Sequence, residues 1–144
     1  MKKVIVREKT KIPPFNEPAR ALRVLNKPLW LHQKDILDIY CQAELEVDLL
    51  EEIPAGEQEE LLIYRDNLFF DQAFADAFIS QARSLGHACQ AAFSVDDRVI
   101  TTHALALQSG IQRLGDVYVA DLWYYPRGLE EPSRPLVIDT GAYE

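Results

Sequence analysis

The sequence predicts a single α/β domain of three-layer type with a mostly parallel mixed sheet, on three observations. Leu61-Leu62-Ile63-Tyr64 is an apolar, strand-like run that stops at Asp66. Residues 71–85 come next, with Phe74, Phe78, Ile79, Ala82 and Leu85 on one helical face, Asp71 placed to cap the start and Gly86 placed to end it. Residues 88–94 then read as a second strand, and a crossover of that length predicts parallel pairing with a right-handed connection.

The remaining elements extend that unit in both directions. Residues 3–6 (KVIV) form a short β-branched strand, and Pro13, Pro14 and Pro18 exclude regular helix or central strand from residues 13–18. Pro28 stands where a helix begins, and Leu29, Ile36, Leu37 and Tyr40 share a face over residues 28–40. Residues 44–50 alternate acidic and apolar positions, as an exposed edge strand does. Residues 116–125 (DVYVADLWYY) form a long strand broken by Pro126 and Gly128, and residues 136–139 close the set.

Composition sets the outer bounds. With 144 residues, 48% hydrophobic and 26% charged, the chain has material for one real core. A formal net charge of −8 argues against a nucleic-acid binder, because phosphate backbones select basic surfaces. The acidic residues concentrate in residues 44–60, around an expected solvated loop at Pro54-Ala55-Gly56. The two cysteines, Cys41 and Cys89, sit far apart without metal-like spacing and outside any CxxC pair, which points to a reduced, cytoplasmic setting. No run approaches the roughly 18 apolar residues of a membrane span, and no apolar segment succeeds the basic start, so a soluble, uncleaved chain is expected. His32, His87 and His103 fit no zinc pattern, and no G-x-S-x-G nucleophile is present.

Asp66 is the leading candidate for chemistry. Ligands of α/β proteins bind at the carboxyl ends of strands, where a carboxylate can hold a divalent cation against a phosphate. The local pattern equally allows Asp66 or Asn67 to begin a turn. Trp30, Trp123, Tyr124 and Tyr125 either stack on a ring of a ligand or fill the core.

Two segments carry a family resemblance. Residues 20–30 (RALRVLNKPLW) resemble the lysine-bearing PK-x-L-x-P-V-x-N-K-P-L stretch of the sugar-phosphate nucleotidyltransferases, and residues 61–97 (LLIYRDNLFFDQAFADAFISQARSLGHACQAAFSVDD) are similar to that family's later G-D-N-x-F region. The resemblance implies a nucleotidyltransferase-like, Rossmann-like fold and a magnesium ion held by Asp66. It further implies Arg20 and Lys27 as catalytic cations, with Arg7, Lys9, Lys11, Asn26 and Asn67 contacting a nucleotide or sugar phosphate. Asn26 can instead cap the helix that begins at Pro28.

The chain also departs from that pattern. The family's glycine-rich loop uses backbone N–H groups to cradle phosphates, but here Val6 leads into Arg7-Glu8-Lys9-Thr10-Lys11-Ile12-Pro13-Pro14. Arg20 replaces a lysine, Arg65 replaces a glycine, and the spacing between the motifs is shorter than a complete nucleotide-binding half needs, as in a shortened domain or half of a larger unit. Asp116, Asp121 and Asp139 are the acidic residues near strand ends that offer a second metal ligand. Three functions are therefore expected: a shortened magnesium-dependent nucleotidyltransferase, a degenerate relative that binds without transfer, or a non-catalytic assembly or regulatory module. A shortened sheet further predicts self-association or a partner protein, with Val117, Val119, Asp121 and Trp123 of the 116–125 strand as the contact and residues 44–60 at its rim.

Overall fold

The computed structural model describes residues 1–7, 11–12, 17–18, 23–24, 27–53, 59–66, 68, 70, 72–94, 111–115, 117–129 and 133–138. The chain opens with β1 (Lys2–Val6), continues through two small antiparallel ribbons, β2 (Lys11–Ile12) with β3 (Glu17–Pro18) and β4 (Arg23–Val24) with β5 (Lys27–Pro28), and enters α1 (Leu29–Leu37). After β6 (Ala43–Val47) and a 3-10 turn at Leu50–Glu52 come β7 (Leu61–Arg65), α2 (Gln72–Leu85), β8 (Cys89–Ser94), β9 (Ile111–Leu114), β10 (Val117–Tyr125) and β11 (Arg134–Val137).

One seven-stranded sheet organises the domain in the order β11-β8-β10-β7-β1-β6, with β9 also paired to β10. β6, β1 and β7 are parallel neighbours and β8 is parallel to β11, whereas β10 runs against β7, β8 and β9. The expected mostly parallel mixed sheet is present. The expected pairing of the two strands flanking α2 is not. β7 and β8 point the same way, but β10 lies between them and bonds to both. Two extra residues in β10 shift its register against β8 between Val119 and Trp123. Gln90 Nε2 donates to the Ala120 carbonyl at 3.0 Å in this bulge, giving it a side-chain partner.

β10 is central in the sheet; of the face named above, Val119 is buried, Val117, Asp121 and Trp123 are half-buried, and Asp121 is held by Arg65 at 2.8 Å. The two ends of the strand order are β6 and β11, and β6 carries the alternating acidic residues expected of an edge. β9 and β10 form a hairpin that the sequence pattern did not reveal, with Leu114 opposite Val117 across two residues. Gly115 opens that turn at φ +62°, the left-handed value that such tight hairpins require.

Both described helices pack on one face. Leu37 of α1 and Phe74, Phe78, Ile79 and Ala82 of α2 join Ile5, Leu62, Tyr64, Leu122 and Tyr124 in the larger core cluster. On the opposite face Val4, Val6, Val47, Leu61 and Ile63 form a smaller cluster with Ile53. Among the described residues, the segment that covers this face is the turn ending at Ile53. α2 ends at Gly86, φ +72°, whose N–H donates to the Ala82 carbonyl at 3.2 Å, as the sequence indicated.

Polar contacts lock the helices down. Arg83 donates two bonds to Glu60, at 3.0 and 2.8 Å, and the Tyr124 hydroxyl donates to the same carboxylate. The Tyr40 hydroxyl donates to Asp76, and the Arg83 guanidinium lies 5.9 Å from the Tyr40 ring centre. The bond to Asp76 and burial push Tyr40 up to about 12. Burial, and then the Glu60 bond, push Tyr124 up, and burial pushes Tyr64 up further.

The protonated phenols are therefore favoured by the fold, while an unfolded chain ionises near pH 10. Their contribution is complete below about pH 10 and is lost as pH rises through the folded values, so stability should fall above that point. Melting temperatures that hold level to about pH 10 and then drop are the expected result. A level profile through about pH 12 would contradict it, and Tyr40→Phe should soften the drop.

Candidate functional site

The parallel register of β6, β1 and β7 brings their carboxyl ends level. Val6 lies opposite Val47 on one side and Arg65 on the other. One more rung extends each ladder: the Arg7 N–H donates to Val47 and the Asp66 N–H donates to Val6, both at 2.9 Å. Asp66 thus sits beside the start of the Arg7 loop, where the strand-end argument places it. It is 2% exposed and, with Lys3 and Gln33, belongs to the buried polar residues of the described core.

Gln33 explains why Asp66 stays in place. It falls midway between Leu29 and Leu37 on the buried stripe of α1, and its Nε2 donates to the carbonyls of Asp66 and Leu68 at 3.2 and 2.7 Å. Leu68 also donates its N–H to Arg65 at 3.1 Å. The helix thereby fixes the turn after β7.

A cleft of about 400 Å³ opens under α1. Its floor is Lys3 and Ile5 of β1, Glu44 and Glu46 of β6, and Tyr64 and Asp66 of β7, with Trp30, Gln33 and Lys34 of α1 above. Lys3 is buried and its ammonium lies 3.1 Å from Glu44. The Lys34 ammonium is raised by its hydrogen bond to Asp38, at 2.8 Å. Tyr64 is raised first by burial and then by Glu44, Cys41, Asp66 and Glu46, so its hydroxyl feels the cleft's carboxylates.

The expected site residues divide sharply. Asp66 is placed at the strand end. Arg7 lies beside it in the sheet, but its guanidinium turns to β6, with Nε 3.0 Å from Asp48 and Nη1 3.8 Å from Glu46. The Nε contact is an ion pair without hydrogen-bond alignment. Lys9, Arg20, Asn26 and Asn67 lie outside the described residues, as do the side chains of Lys11 and Lys27, whose backbones are in β2 and β5. The cap of α1 is Pro28, not Asn26, and it makes no side-chain capping bond.

A second metal ligand is not provided by Asp121, which lies mid-strand in β10 and pairs with Arg65; Asp116 and Asp139 are outside the described residues. Among the described residues no group of three or more His, Cys, Asp or Glu is placed to hold a metal. Magnesium commonly takes one or two protein carboxylates and completes its shell with water and substrate phosphates; Asp66 and Glu46 are carboxylates that line this cleft and could serve in that mode.

Sequence reasoning missed Lys3, Gln33, Glu44, Glu46 and Tyr64 as cleft residues. One of them left a signal: Gln33 interrupts an apolar helix stripe. Among the described residues no helix is long and apolar enough to cross a membrane. No protein-family model matches the chain, and no curated protein matches it.

Proposed function

We propose that the chain is a nucleotidyltransferase-like domain that binds a nucleotide or sugar phosphate, with magnesium, at the carboxyl ends of β1 and β7. The observation that carries this reading is Asp66: a buried carboxylate at the end of a central strand, in the floor of a ligand-sized cleft. The mixed sheet and the resemblance of residues 20–30 and 61–97 to the sugar-phosphate nucleotidyltransferases support it.

Within that reading, Asp66 and Glu46 offer oxygen donors, Gln33 ties the Asp66 backbone to α1, and the Asp66 N–H ties it to Val6 of β1. A bound magnesium ion would supply neutralisation of phosphate charge. Transfer chemistry further needs cations aimed at the reacting phosphate, and Arg7 is turned to Asp48 and Glu46. That pairing favours a second reading, in which the domain binds its ligand without transfer and acts as a regulatory or assembly module.

Calorimetric titration with each common nucleoside triphosphate plus magnesium tests the proposal. The wild type should give saturable heat, and Asp66→Asn should weaken binding at least about tenfold with the melting temperature held. No heat with any triphosphate, or equal affinity in the variant, removes the metal role of Asp66.

A further inference from the structure

We propose that Glu60 is the pin of an acid-released clasp that fastens the exits of α1 and α2 to the sheet, and that its opening loosens the roof of the cleft while the strands stay paired. The clasp is independent of the phosphate reading, since none of its groups lines the cleft.

The cluster sits just ahead of β7, at the end of the sheet opposite Asp66. Arg83, in the last turn of α2, gives both of its bonds to the Glu60 carboxylate, and the Tyr124 hydroxyl from the end of β10 gives a third. One carboxyl group therefore joins α2 to two strands. From Arg83 the contacts run on through the Tyr40 ring to Asp76, which also accepts from Gln72 Nε2 at 2.9 Å, and the same Nε2 lies 3.5 Å from the Ile36 carbonyl of α1. α1 has no side-chain cap at its start, so Gln33 holds its middle and this network holds its exit.

The charged groups facing Glu60 all favour its anion. Arg83 approaches from α2, Tyr124 from β10 and the Met1 amine from ahead of β1, at 4.0 Å, while Lys2 and Glu59 pair with each other alongside at 3.4 Å. The Arg83 bond holds the Glu60 carboxyl below the usual glutamate range; burial opposes this and the Tyr124 bond adds to it. A lowered value in the fold means that the clasp contributes fully above about pH 4.3 and is lost as pH falls through the folded value. A protonated carboxyl is a donor at one oxygen and carries no charge, so it cannot serve Arg83 and Tyr124 together as the anion does. Opening stays local because Phe74 and Phe78 hold the first turns of α2 in the core without help from Glu60.

Amide exchange of the full chain, followed by magnetic resonance and expressed as protection factors, tests the clasp. In the wild type, residues 82–85 and 36–41 should lose about five- to tenfold protection between about pH 6 and about pH 3.5, while Leu62 and Ile63 of β7 hold theirs. Glu60→Gln should show the low values already at about pH 6 and a flat profile below it. Tyr124→Phe, which removes one of the three bonds, should move the midpoint of the loss to higher pH, and Glu59→Gln should leave it unchanged. Protection that stays level with pH in the wild type overturns the clasp, as does protection of β7 that falls in step with the helices. A wild-type profile in Glu60→Gln, or an unmoved midpoint in Tyr124→Phe, overturns it equally.

Discussion

Phe78→Ala should destabilise the domain by about 3 to 5 kcal/mol, the range for removing a buried aromatic ring. The side chain is fully buried at the centre of the α2 stripe, between Phe74 and Ala82. Its ring stacks on Phe74 with centroids 6.5 Å apart, and Phe74 in turn stacks on Phe93 of β8 at 5.1 Å. Truncation therefore leaves a cavity against a row of rings that cannot collapse without moving the helix off the sheet. For a domain of this size the melting temperature should fall by roughly 10 °C. Phe78→Leu, which keeps most of the volume, should cost clearly less. Denaturant unfolding checks both, and an unchanged midpoint in the alanine variant would show that this face of α2 is not core.

Gln33→Leu should cost about 2 to 4 kcal/mol, although leucine matches the apolar stripe it enters better than glutamine does. The loss comes from the carbonyls of Asp66 and Leu68, each deprived of the Nε2 donor in a buried setting. The same change should loosen the turn after β7 and lower affinity for any ligand held by Asp66. Chemical unfolding gives the stability, and amide exchange gives the local effect, with faster exchange at the Asp66 and Leu68 N–H groups than in the rest of the sheet. If stability and exchange both match the wild type, the glutamine does not fix this turn.

The elements most legible in the sequence are those whose pattern is local. α2 combines a helical stripe with a terminal Gly86, and β7 and β10 are β-rich runs with clear ends, so the pattern locates each within a few residues. β6 shows its edge position through alternating acidic residues. The position of β10 between β7 and β8 is not legible, because strand neighbours separated by dozens of residues leave no periodic trace; the Arg65–Asp121 pair links β7 to β10 by charge, but that pair has no fixed spacing. Asp66 is legible for the same reason β7 is, since it ends an apolar run. The cleft is not, because it is assembled from single residues of α1, β1 and β6 that are each ambiguous alone.

The late arrival of β10 also governs how the chain can be made. During synthesis β7, α2 and β8 emerge first, and the edges that β10 will occupy stay unpaired until residues 117–125 are released. Such open edges invite pairing with the same segment of another nascent chain. The β9–β10 hairpin is then an insert that closes the sheet from within, and an insert can be lent as well as kept: at high concentration, one molecule can receive it from another in a swapped dimer. The sequence-distant contacts that result favour slow, all-or-none folding, with the final third of the chain deciding when the first two thirds become stable.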